Sequence, residues 1–274
     1  MAAAEQAEKN PTPQLVLKQE AGECEARGDW AGAEVRYRKV LALEQATGND
    51  GAISKAHCDL SRLFLLVGDS KQADAYARAA TAAARRAGVF PLLVMTLENL
   101  AGCALRRSDR AATVEAASEA VTVVKPGRMY DGMRGWAWVT RARCRLACGD
   151  IAGAESDLAA SRPILLDKEL SPIFAGAHSR TAAWWEVTAA VRGNRGDLPG
   201  ACEAWEEAVR TRRHVASLSH VAGPHTVAAL ARALRHLGQA SEAAGKPEDS
   251  QAAMAEATRI WCELDVPGQD SPAC

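Results

Sequence analysis

Aromatic residues make up only 5 % of this chain, and runs of β-branched residues are scarce. Sheets draw on both classes, whereas the abundant Ala and Leu favour helix, so an all-α fold is the expectation. An excess of charge of either sign is also missing: formal net charge is −1. That removes any global electrostatic case for nucleic acid or an anionic membrane. Long hydrophobic runs are absent too. The longest, VFPLLVM at 89–95, is too short to span a bilayer and contains Pro91. The opening MAAAEQAEKN lacks the basic and apolar regions of a secretory leader. A reducing, cytoplasmic setting is therefore expected, in which the eight cysteines, none in a CxxC pair, serve mostly as small core residues. GxSxG, HExxH and phosphate-cradling glycine loops are lacking, and the carboxylates follow helix surfaces instead of converging. The expectation is a non-enzyme without a cofactor or metal.

What is present is repetition. Gly-Asp recurs at Gly28, Gly68, Gly149 and Gly196, Ser108 stands in the Gly slot of a further copy, and Gly245 opens a sixth. The spacings are 40, 40, 41, 47 and 49 residues. Each anchor separates two stretches with apolar or small residues at helical spacing. Gly can end a helix in the left-handed conformation, and the Asp after it can cap the next helix. A turn this short makes the two helices antiparallel. Seven residues before the anchor stand Ala21, Ser61, Ala101, Ala142, Ala189 and Gly238; five after it stand Ala33, Ala73, Thr113, Ala154, Ala201 and Ser250. Small residues at both places allow close approach. The next inward positions hold Tyr37, Ala77, Ala117, Leu158, Trp205 and Met254, and a bulky slot eleven before the anchor holds Leu17, His57, Leu97, Trp138, Trp185 and Leu234.

This pattern, over residues 14–263, resembles the tetratricopeptide repeat (TPR) superfamily. TLENLAG at 96–102 and AEVRYRKVLALEQATG at 33–48 resemble the kinesin-light-chain branch in particular. The chain departs from the pattern in its longer spacing, in lacking the helix-ending Pro, and in carrying the aromatic four before the turn only as Phe64. The resemblance implies a right-handed α-solenoid of about six TPR-like helical hairpins, at 14–50, 51–88, 90–124, 131–163, 174–215 and 223–263. Residues 1–12 and 265–274 read as disordered, with longer connectors at 125–132 and 165–174. The Ala, Arg and Gly bias adds the expectation of a GC-rich genome, and so of a bacterial kinesin-light-chain-like protein.

Stacked hairpins leave a groove lined by the first helix of each pair. By phase, the groove positions include Lys18, Gln19, Gly22 and Glu25 in the first unit, and Lys55, Cys58, Asp59 and Arg62 in the second. The third gives Met95, Glu98, Asn99 and Arg106, the fourth Trp136, Thr140 and Arg143, and the sixth Arg232, Arg235, His236 and Gln239. Asn99 both donates and accepts, as reading a peptide backbone requires, or else it bridges neighbouring helices. It also matches the asparagine that holds peptide backbone in the kinesin-light-chain branch. Lys55, Arg62, Arg106, Arg143, Arg232 and Arg235 form a row of cations opposed by fewer acids. Guanidinium binds carboxylate in bidentate fashion, so an acidic or C-terminal peptide segment is the expected ligand.

Of the seven tryptophans, Trp138, Trp185 and Trp205 occupy core phases. Trp136 and Trp184 do not, and an exposed Trp on a groove suits a partner. His214, His220 and His225 read as loop histidines, and Cys144 with Cys148 as a packing pair. The expected partner is a protein or peptide, acidic, cytoskeletal or cargo-related, with no nucleic acid and no membrane insertion. The alternative is a peptide- or small-ligand-responsive regulator whose solenoid curvature changes on binding. An end face with Met254, Ile260 and Trp261 suits either the tail or a second copy of the chain. Asn99→Ala combined with Arg62→Ala is expected to weaken partner binding while leaving helicity, followed by circular dichroism, intact.

Overall fold

The computed structural model describes residues 11–124, 131–166, 177–218 and 224–264. The expected tails and most of the two connectors lie outside the described residues. Those residues form twelve α-helices and no strands, and they divide into two compact units between Val124 and Lys125. The first unit holds α1 (Pro13–Ala26), α2 (Trp30–Thr47), α3 (Asp50–Leu66), α4 (Ser70–Ala87), α5 (Phe90–Arg106) and α6 (Arg110–Val123). The second holds α7 (Asp131–Ala147), α8 (Ile151–Leu165), α9 (Ala177–Asn194), α10 (Leu198–Ser217), α11 (Pro224–Ala243) and α12 (Pro247–Leu264). In each unit, three antiparallel hairpins stack in α-solenoid fashion. Helix packs on following helix, and the first helices of adjacent hairpins also meet, α3 on α5 and α7 on α9.

The turns explain the regularity. Gly28, Gly68, Gly149, Gly196 and Gly245 have φ between 72° and 87°, and Ser108 takes the same place at φ 60°. In five of the six turns, the N–H of the following residue returns to the carbonyl five positions back, as in Asp29 N to Cys24 O at 2.9 Å and Asp150 N to Arg145 O at 2.8 Å. These bonds satisfy carbonyls that the helix end would otherwise orphan. The Asp then caps the next helix. The Asp29, Asp69, Asp109, Asp150 and Asp197 carboxylates each accept from a backbone N–H three residues on, at 2.8–3.1 Å. The sixth turn carries Lys246 in that place.

The small residues sit where the helices cross. Ala21, Ser61, Ala101, Ala142 and Ala189 are fully buried, as are Ala33, Ala73, Thr113 and Ala154 opposite them. At α3 and α4 the crossing is close enough for the Ser61 hydroxyl to donate to the Ala73 carbonyl at 2.8 Å. In the last hairpin the larger Met254 lies against Gly238, where an added Cβ would come within 2.7 Å of its side chain. The phase four before the anchor holds Arg145 and Arg192, which donate across their turns to the carbonyls of Gly153 and Gly200 at 3.1 and 2.9 Å. A hydrogen bond thus closes these two turns where an aromatic side chain closes the α3–α4 turn.

The apolar core is modular as well. One cluster gathers Leu60, Leu63, Phe64, Tyr37 and Val40 around α2–α4; a second spans α7–α9, and a third α10–α12. Each fully buried Leu, such as Leu60, Leu97 or Leu234, contributes roughly 1.5–3 kcal/mol. Of the end-face trio, Ile260 and Trp261 are buried in the third cluster and Met254 is exposed.

A left-handed non-Gly residue costs roughly 1 kcal/mol relative to Gly. Ser108→Gly is therefore expected to raise unfolding stability by about 1 kcal/mol, read from the urea midpoint. The backbone N–H of Gln72 holds the Asp69 carboxyl below the usual carboxylate range. Its contribution is thus present above that range and is lost as pH falls through the lower folded value. Asp69→Asn, which keeps a capping oxygen, is expected to leave neutral-pH stability near wild type and to flatten the acid limb of the stability–pH curve.

Candidate functional site

In the second unit the first helices α7, α9 and α11 turn one face toward a common groove of about 440 Å³, with two side chains of α10 reaching into it. Helix α7 supplies Trp136, Arg143 and Leu146; α9 supplies Glu186, Val187 and several small residues; α11 supplies Arg232 and His236. From α10 come Trp205 and Arg212. Among the described residues the lining holds three guanidiniums and one carboxylate. That carboxylate, Glu186, accepts from Arg212 Nε at 2.8 Å. Trp205 and His236 stack at 4.9 Å with 19° between the rings, and His236 Nδ1 lies 3.1 Å from Gln239 Oε1. Arg143 is exposed. The arrangement combines apolar π-surface with cations at the rim, which suits an apolar ligand that carries carboxylates.

The sequence-derived groove residues divide between the two units. Trp136, Arg143 and Arg232 come together in this groove. Arg235 and Gln239 lie on α11 outside its lining. Thr140 is buried at 8 % exposure and is not offered to a ligand, which corrects its assignment. In the first unit Lys55 and Arg106 are exposed. Arg62 is already engaged, its two Nη atoms donating to Glu25 at 2.9 and 2.7 Å and Nη2 also to the Tyr37 hydroxyl at 3.0 Å. Lys18 pairs with Asp59 at 3.1 Å. Of the expected row of cations, Arg62 is therefore answered by an acid, as is Lys18 beside it on α1. Asn99 of α5 is half-buried, and burial pushes the Cys58 thiol of α3 up to about 12.

Trp184, off the core phase, is buried like Trp261, and its indole N–H donates to the Leu158 carbonyl at 3.1 Å. Trp138, Trp185 and Trp205 are half-buried; Trp185 and Trp205 pack against the core clusters as their phase implies, and Trp205 also lines the groove. His214 is exposed, with its ring edge-on to His178 at 4.7 Å. His220 and the side chain of His225 lie outside the described residues. Among the described residues no group of three His, Cys, Asp or Glu side chains could hold a metal ion, and no helix is long and apolar enough to cross a membrane.

No protein-family model and no curated protein sequence matches the chain. Solved structures do. BtubC (BKLC) from P. vanneervenii is similar at TM-score 0.59 and 16 % identity, covering 94 % of this chain and 95 % of that one. A Rap protein complexed with competence and sporulation factor is similar at TM-score 0.58 and 12 % identity, over 95 % and 79 % of the two chains. A point variant of a Podosopora anserina putative kinesin light chain with nearly identical TPR-like repeats reaches 0.53 at 17 % identity, over 76 % and 94 %. The chain has the TPR-like helical-repeat fold.

Placed on TPR-like repeats, the residues that the sequence reading missed become legible. The phase used for the other hairpins, applied to the fifth, gives Glu186, Val187 and Ala190, all in the groove lining. Arg212 carries no such signal, because it belongs to a second helix and reaches the groove from behind. Two variants check this placement. Trp184→Phe removes the donor to a buried carbonyl, with an expected cost of about 2 kcal/mol. Arg62→Ala strands Glu25, which is 16 % exposed, and is expected to cost about 1 kcal/mol, discounted because Arg62 is half-exposed. Chemical denaturation measures both, and the Arg62 loss means that the Asn99/Arg62 double variant perturbs stability as well as any binding.

Proposed function

We propose that this protein is a non-catalytic interaction scaffold that binds a peptide or protein segment in the groove of its second unit. The observation that carries the reading is one groove, formed by three successive repeats, that brings Trp136, Trp205 and His236 together with Arg143, Arg212 and Arg232. Aromatic and Arg side chains are the types that dominate binding energy at interfaces. Three guanidiniums favour a ligand bearing carboxylates, so an acidic or C-terminal segment is the preferred class. The TPR-like fold supports the reading by analogy, since a Rap protein of similar fold is complexed with competence and sporulation factor. A cytoskeletal or cargo partner is the finer form of this proposal, supported by likeness to a putative kinesin light chain.

The likeness to the Rap complex, over 95 % of this chain, favours one second reading, a regulator that responds to a small peptide. Co-purification from the native cell at near-physiological salt separates the two. A stable protein partner supports the scaffold, whereas a low-mass ligand with a ligand-dependent scattering radius supports the regulator. For either ligand, Trp136→Ala and Arg143→Gln are each expected to weaken binding about tenfold by calorimetry, with helicity unchanged. Undiminished affinity in both variants would remove the groove assignment.

A further inference from the structure

We infer that His236 gives the groove a proton-gated receptor for a ligand carboxylate, and that Gln239 holds its neutral ring in the tautomer that turns a carboxylate away. This inference rests on the peptide-binding reading above and specifies when the ligand is held. His236 is exposed on α11 and borders the groove. Two contacts fix its ring. One face stacks on Trp205 of α10, at 4.9 Å with 19° between the planes. Nδ1 lies 3.1 Å from Gln239 Oε1, one turn further along the same helix. An amide oxygen only accepts, so Nδ1 carries the proton of that bond. The neutral imidazole then keeps a bare lone pair on Nε2, which has no hydrogen-bond partner among the described residues.

A lone pair accepts from N–H or O–H and repels a carboxylate. Protonation places an N–H on Nε2 and turns the same atom into a charge-assisted donor to that carboxylate. Histidine is the side chain suited to make this change between pH 5 and 8. The stack on Trp205 suits the cation as well, because an indole face carries the negative end of the ring quadrupole. The charged groups that border the groove with His236 are Arg143 of α7, Glu186 of α9, Arg212 of α10 and Arg232 of α11. Glu186 is held against Arg212 Nε. Helix α12, also packed on α11, meets it through Met254 at Gly238, and its Glu256 is paired with Arg213 of α10. Guanidinium stays charged throughout that pH range. His236 therefore reverses its hydrogen-bonding sense while the cations beside it keep theirs. An unrestrained imidazole would escape the reversal by moving its neutral-form proton to Nε2. The bond to Gln239 opposes that move, which makes Gln239, outside the lining, a positioning residue for the groove.

The test uses the full chain. Long-range ¹H–¹⁵N spectra of protein labelled with ¹⁵N-histidine report the tautomer, with His236→Phe assigning the signal. At about pH 8 wild type is expected to carry the proton on Nδ1, and Gln239→Ala to move it toward Nε2. A peptide is then selected at about pH 5.5 from a random decapeptide display library with one fixed Glu. It is measured by calorimetry at both pH values, beside an analogue whose carboxylates are amides. Wild type is expected to bind the acidic peptide about fivefold tighter at the lower pH, with a change under about twofold for the analogue. Gln239→Ala is expected to bind it tighter than wild type does at the higher pH, flattening the profile. His236→Phe, which keeps a ring on Trp205, is expected to lose the pH preference and retain the affinity for the analogue. A neutral-form proton on Nε2 in wild type would overturn the inference and leave peptide binding standing. So would a wild-type affinity that does not rise at the lower pH, a preference that survives in His236→Phe, or a profile that Gln239→Ala leaves unchanged. If wild type enriches no peptide, the peptide-binding reading falls and the inference with it.

Discussion

The crossing of two helices on small residues, closed by a left-handed turn, is the constraint on which the rest depends. A hairpin built this way brings backbone to within hydrogen-bonding reach of a serine side chain, as Ser61 and the Ala73 carbonyl demonstrate. Such a crossing buries little area by itself, because Ala contributes one methyl group. The neighbouring hairpin has to supply the remainder. Cys103 of α5 does so against Ser61, its sulfur 3.6 Å from the hydroxyl. Stability is therefore distributed along each stack, and no hairpin owns a complete core.

Charge does most of its work between repeats. Glu25–Arg62, Arg85–Glu119, Glu155–Arg195 and Arg213–Glu256 join residues 34–43 positions apart, about one repeat. Pairs this exposed are individually weak. Their collective effect is on register: a slipped hairpin would place like charges together. The same pairing engages Lys18 of α1 and Arg62 of α3, whereas Lys55 of α3 and Arg106 of α5 are exposed. In the second unit Arg212 of the groove is likewise held by an acid, Glu186.

The nearness of Arg and Trp side chains in that groove gives the proposed scaffold its physical basis. A concave face neutralised from within offers shape but little electrostatic selectivity, whereas cations flanking tryptophan faces offer both.

The TPR-like fold was legible in the sequence because its determinants are local. Gly-Asp turns and small residues at fixed offsets encode the turn and the crossing, and Ser108 was placed correctly by phase alone because the turn demands φ > 0 of whatever residue stands there. Trp136, Arg143 and Arg232 were legible for the same reason. The tertiary structure alone decided the charge state of each face, because an ion pair such as Glu25–Arg62 depends on side-chain reach between hairpins, which helical phase does not encode. It also decided how Trp184 is buried, its indole N–H donating to the Leu158 carbonyl of a preceding helix. And it brought Arg212 in from α10 to meet Glu186, a meeting that needs the stack to exist before either residue has a partner.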